Sequence, residues 1–101
     1  MNVLFICNQN KNRSKTAEKL FSGKYKTQSA GLYNETPVTE KQVGWADVVV
    51  VMEDEQRTEL ARRFPEQYLR KKIISLNVAD VYQYGQDELQ KELMTKVEML
   101  L

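Results

Sequence analysis

The chain has 101 residues, 42% of them hydrophobic and 29% charged, with a formal net charge of +1. This length supports one compact core, and the near balance of charge leaves no field that would mark a nucleic-acid binder or a membrane-surface protein. There is no histidine and a single cysteine, which excludes Ser-His-Asp and Cys-His catalysis, histidine-ligated zinc and any internal disulfide.

The N-terminus lacks the basic region, apolar stretch and small-residue cleavage site of a signal peptide, and no apolar run approaches a membrane-spanning length. With a lone free thiol, this predicts a soluble protein of the reducing cytoplasm that engages neither membrane nor nucleic acid. Its oligomeric state is not readable from the chain.

Asn2 to Ile6 is a short apolar run stopping at Cys7, suited to a central strand. Ser14 to Phe21 predicts a helix, with Ala17, Leu20 and Phe21 at helical spacing and Gly23 as its stop. Lys26 to Ala30 reads as a short strand leading to Gly31, and Thr39 to Val43 as a short helix after the Thr36-Pro37 loop. Val48 to Met52 is the clearest strand, because four β-branched residues in a row fit a sheet buried on both faces. Glu53, Asp54 and Glu55 place negative charge in the first turn of a helix that must stop at Pro65. Lys72 to Leu76 predicts a further strand, and Leu89, Leu93, Val97 and Leu100 give a C-terminal helix from Gln86 to Leu101 with one buried stripe. Strands alternating with helices predict a single α/β domain over 1–101: a mostly parallel four-stranded sheet with helices on both faces.

In such a sheet ligands bind beyond the carboxyl ends of the strands, which directs attention to the turn after the first strand. That turn is Cys7-Asn8-Gln9-Asn10-Lys11-Asn12-Arg13-Ser14. A cysteine and an arginine this far apart can wrap a phosphate-binding loop in which the backbone N–H groups of Asn8, Gln9, Asn10, Lys11 and Asn12 converge on an anion. The positive end of the following helix backs that cradle. Arg13 offers its fork to two phosphate oxygens. Its charge and the loop dipoles favour the Cys7 thiolate, the form that attacks phosphorus, and Ser14 can donate a hydrogen bond to that sulfur. Asparagine suits a tight loop because it tolerates left-handed backbone. The plain alternative makes Cys7 a small buried hydrophobe and Arg13 a surface charge; the strand before, the helix after and Ser14 in place weigh against it.

The sequence resembles the low-molecular-weight protein tyrosine phosphatase family, and within it the short bacterial predicted phosphatases. The resemblance rests on Val3 to Cys7 with Asn10 and Arg13-Ser14, on Ser29-Ala30-Gly31, on Trp45-Ala46-Asp47 leading into Val48 to Met52, and on Asp80-Val81-Tyr82-Gln83-Tyr84. It implies that Cys7 is the nucleophile, Arg13 the phosphate clamp, Asn10 a loop-shaping residue, Ser14 the thiolate stabiliser and Asp80 the general acid. Two positions depart from the family pattern: Gln9 stands at the usual loop glycine, and Asn12 where many members carry a second cysteine. The chain is also shorter than usual for the family, so the walls around a phosphotyrosine ring are expected to be reduced.

Expelling an alkoxide or phenoxide requires a positioned acid. Asp80 fits by its place in a loop before the last helix, between a strand and Tyr82 and Tyr84, which can form an apolar rim around an aryl group. A turn aspartate would look the same. Asp87 competes, but Asp87-Glu88-Leu89 reads as the acidic first turn of the last helix. Trp45 reads as core beside a buried strand, and Arg62, Arg63, Arg70, Lys71 and Lys72 as solvated surface.

These readings predict a metal-independent phosphomonoester hydrolase that needs no cofactor, acts through a phosphocysteine and takes a phosphorylated protein or a small phosphomonoester. Two alternatives remain open at this level: an arsenate reductase drawing on an external thiol, and a phospho-ligand binding module without turnover.

Overall fold

The computed structural model describes residues 1–101. In chain order the elements are β1 (Asn2–Cys7), α1 (Arg13–Leu20), β2 (Lys26–Gly31), α2 (Glu40–Trp45), β3 (Val48–Val51), α3 (Asp54–Arg63), α4 (Pro65–Arg70), β4 (Lys72–Ser75) and α5 (Asp87–Leu100). The strands form one sheet in the order β2-β1-β3-β4, every neighbouring pair parallel. The two apolar runs of the sequence, β1 and β3, lie side by side at its centre, where both faces must be covered.

Alternation along these strands builds two cores. Val3, Phe5 and Cys7 of β1, with Val48 and Val50 of β3, face α1 and α5 and meet Ala17, Leu89, Leu93 and Val97. Leu4, Ile6, Val49 and Val51 face the other way, toward α2 and α3, and meet Val43 and Leu60. The predicted helices on both faces are present. All four valines of β3 are buried, the burial that a β-branched run requires.

Helix ends differ from the sequence reading in two places. α1 ends at Leu20, before Gly23, because Phe21 leaves the helix to stack on Phe5 with ring centroids 5.8 Å apart. Pro65 does end α3, yet it also opens α4 from the first helical position, where proline has no amide bond to lose. The basic stretch is less solvated than expected: Lys71 Nζ donates to the carbonyls of Gly44 and Ala46 at 2.9 and 2.8 Å, and Arg63 donates to Leu32 O at 2.7 Å. Trp45 is partly buried against the second core, in line with its reading.

Glu59 on α3 binds both Arg62 and Arg63. Hydrogen bonds from Arg62 and then Arg63 lower its pKa from 4.5 to about 2. A carboxylate whose pKa falls on folding stabilises the native state above its ordinary value and loses that contribution as pH drops through the folded value. Thermal unfolding should therefore separate wild type from Glu59→Gln at neutral pH, with the gap closing between about pH 4.5 and about pH 2. A gap that stays constant across that window would mean the ion pairs are not what Glu59 contributes.

Candidate active site

The strand order decides where a ligand can enter. β1 has β2 on one side and β3 on the other, so the connections leaving β1 and β3 open into one crevice at the carboxyl edge of the sheet. The loop Asn8 to Asn12 leaves β1, and Met52-Glu53 leaves β3.

Local backbone chemistry shapes the loop. Asn10 has φ of 55°, a left-handed conformation that asparagine accepts with less strain than most residues. The carbonyl of Asn8 accepts from the amides of Leu32 at 3.0 Å and Tyr33 at 2.9 Å, which ties the loop to the end of β2. A Cβ on Gly31 would lie 2.9 Å from the Asn34 side chain and 3.0 Å from Asn8 O. Glycine at this position is what lets the two segments approach. The backbone N–H groups from Gln9 through Lys15 have no protein acceptor; those from Asn12 on are the donors that a helix start leaves unpaired, and Gln9 to Lys11 extend the run back into the loop. α1 begins within this run with no acidic residue in its first turn and no side-chain cap, so its positive end is uncompensated by the protein.

Cys7 is buried, and its Sγ lies 2.9 Å from Ser14 Oγ, which lies 2.7 Å from Asn10 Oδ1. A hydroxyl has one proton to give. With Cys7 as a thiol, S–H donates to Ser14 and Ser14 donates to Asn10. With a thiolate the chain reverses: Ser14 donates to sulfur, and the Asn10 amide turns its N–H₂ toward the serine oxygen. This asparagine therefore matters for its side chain as well as its backbone.

Arg13 is 1% exposed, the largest fully buried side chain in the molecule. The plain reading of a surface charge is wrong for this residue. Its Nη1 donates to the Glu53 carboxylate and, at 2.8 Å, to the carbonyl of Val78. Nη2 has no protein acceptor, and Nε lies 3.6 Å from Asp80 Oδ1. Asp80 is exposed, on the irregular segment between β4 and α5. That segment is held beside the loop by Val78 N donating to Met52 O at 2.7 Å and Gly85 N donating to Thr16 Oγ1 at 2.9 Å.

Cys7, Gln9, Lys11, Asn12, Arg13 and Asp80 line one cavity of about 110 Å³. Asn8 and Asn10 shape the loop without lining this cavity. Ser14 reaches it only through the sulfur. Tyr82 and Tyr84 are not in this lining. The Tyr82 hydroxyl donates to Glu92 at 3.2 Å, and lost hydration, then the Glu92 charge, raise its pKa. Tyr84 lines a separate cavity with Thr16, Lys19 and Gln90. Asp87 lies in the first turn of α5.

Sequence reasoning missed Glu53 and Gln56. Gln56 is buried; its Oε1 accepts from the amides of Met52 and Glu53 at 2.8 and 3.1 Å, and its Nε2 donates to Asn8 Oδ1 at 3.0 Å. The signal was the spacing Glu53-x-x-Gln56 before a helix, a capping-box pattern.

No family model and no curated protein matches the sequence. Solved structures do match. A low molecular weight protein tyrosine phosphatase from T. tengcongensis aligns at a TM-score of 0.79 and 22% identity over 100% of this chain and 99% of that one. The fold is that of the low-molecular-weight protein tyrosine phosphatases. The tyrosine phosphatase Wzb from Escherichia coli K30, in complex with phosphate, aligns at 0.79 and 20% identity over 98% of this chain and 94% of that one. The YwlE arginine phosphatase from Geobacillus stearothermophilus aligns at 0.77 and 19% identity over 98% and 89%. The likeness to this phosphatase fold runs the length of the chain.

Proposed function

We propose that the protein is a metal-independent phosphomonoester hydrolase working through a phosphocysteine. The observation that carries this reading is the run of N–H groups from Gln9 to Lys15 that no protein group accepts, starting two residues after a buried thiol and including the residue that carries a buried guanidinium. A row of free donors that runs from a strand end into a helix N-terminus suits an anion that carries several acceptor oxygens.

In the proposed reaction the phosphoryl group sits in the loop, with two of its oxygens on Nε and Nη2 of Arg13. Cys7 Sγ attacks phosphorus, forming S–P as the P–O bond to the leaving group breaks, and Asp80 gives its proton to the departing oxygen. Ser14 donates to the sulfur whenever it bears negative charge. Asp80 then takes a proton from water, whose oxygen attacks phosphorus and breaks S–P, releasing inorganic phosphate and restoring the thiolate. A phosphoryl oxygen at Nε would replace Asp80, now 3.6 Å from it, as that nitrogen's partner and free the carboxyl for the leaving group.

Arginine and tyrosine phosphatases both share the fold. The substrate proposed here is a phosphorylated protein or a small phosphomonoester. A cytoplasmic site of action is supported by the single free cysteine. No helix is long and apolar enough to cross a membrane.

The test is to incubate wild type with an aryl phosphate and a chelator, quench with acid and locate the phosphoryl group by mass spectrometry. Chelator-insensitive hydrolysis with the adduct on Cys7 is expected. Phosphate binding without hydrolysis would leave a binding module, and an adduct elsewhere would remove Cys7 as nucleophile. Asp80→Asn should slow esters with poor leaving groups by about 10² to 10⁴ and activated aryl phosphates far less, since these depart unprotonated. Equal losses across a leaving-group series would show that the proton comes from another group.

A further inference from the structure

Glu53 lies outside the cavity lining, yet its carboxylate takes Nη1 of Arg13 while Gln56, one turn along, takes Asn8. The start of α3 thus grips both ends of the loop between β1 and α1. The grip is itself anchored, because Gln56 Oε1 is fixed by the amides of Met52 and Glu53.

This arrangement selects one orientation of the guanidinium. With Nη1 committed to Glu53 and to the Val78 carbonyl, the planar group cannot turn in place. Only the edge carrying Nε and Nη2 remains for a two-point contact with a phosphoryl group. A buried guanidinium also needs a counter-charge to stay charged at low cost, and Glu53 is the acid bonded to it.

We infer that Glu53 is a positioning residue for Arg13, with Gln56 holding Glu53 and the loop in register. The inference rests on the phosphate-binding reading above. Glu53 does not meet the phosphoryl group; it fixes which edge of Arg13 does.

The experiment measures the affinity of inorganic phosphate by calorimetry for wild type, Glu53→Ala, Glu53→Gln, Arg13→Ala and the Arg13→Ala/Glu53→Ala pair, each confirmed folded by thermal unfolding. Glu53→Ala should weaken phosphate roughly tenfold or more, the size expected from losing a hydrogen bond to a charged group. Glu53→Gln keeps an acceptor oxygen for Nη1 and should recover most of that loss. In the Arg13→Ala background the Glu53 substitution should add less than about twofold, because the residue acts through the missing guanidinium. Unchanged or tighter phosphate binding in Glu53→Ala would overturn the inference, as would an equal loss with and without Arg13. If Glu53→Ala does not fold, Glu53→Asp replaces it in the same cycle: a loss confined to the Arg13 background supports the inference, and any other result overturns it. Turnover separates this claim from the one beneath it. A wild type that binds phosphate without hydrolysis removes the hydrolase reading alone, whereas normal hydrolysis with an inert Glu53 removes only this inference.

Discussion

Cys7→Ser is expected to reduce hydrolysis by about three orders of magnitude or more, as loss of a nucleophile does in enzymes that form covalent intermediates, while phosphate still binds. The two outcomes separate because the parts are separate. In the proposed site phosphate would be held by the N–H run from Gln9 to Lys15 and by Arg13, and none of these depends on sulfur. Turnover depends on a thiolate that attacks and later leaves, and a serine oxygen is a poorer nucleophile at neutral pH and a poorer leaving group. Because Sγ lies 2.9 Å from Ser14 Oγ, the serine variant keeps a hydrogen-bonding atom in the buried site, and the fold should be retained. Steady-state kinetics and phosphate titration on one preparation check both halves. Full activity would end the phosphocysteine proposal, and joint loss of binding and turnover would mean that the sulfur supports the loop itself.

Arg13→Lys is expected to lower kcat/KM by roughly 10² or more, the scale seen when one preorganised electrostatic contact to a transition state is removed. An ammonium is a point charge on a flexible stem and cannot present two parallel donors. It also cannot satisfy the Glu53 carboxylate and the Val78 carbonyl while reaching the phosphoryl group. The variant should lose some thermal stability, because a buried charge network keeps its acceptors and loses its donor geometry. Near-normal efficiency in the lysine variant would show that Arg13 supports the structure rather than holding the phosphoryl group.

Much of this architecture was legible because the central strands announce themselves. Val3 to Ile6 and Val48 to Val51 are apolar at every position, a pattern that at this length and with this β-branched content suits a strand covered on both faces, and the loop after the first falls where such sheets bind ligands. The placement of Cys7, Arg13 and Asp80 around one cavity follows from that frame. What the sequence hid were tertiary choices. Glu53 serves equally as an acid at a helix start, and nothing local says that an arginine forty positions earlier meets it. Pro65 carries two meanings, stop and start, and the chain uses both. Tyr82 and Tyr84 lie near Asp80 in the chain, but their segment has no periodicity to fix which way a ring points, and Glu92 on α5 draws Tyr82 aside.

The unpaired donors of the loop also bear on thermodynamics. Without a protein acceptor these amides are left to solvent, and an oxyanion seated there binds them only in the native state. Anion occupancy and folding are therefore linked: the midpoint of thermal unfolding should climb with phosphate concentration, by an amount that reports the dissociation constant through mass action. In a cell, the population of folded protein would then follow the supply of whichever oxyanion the loop accepts.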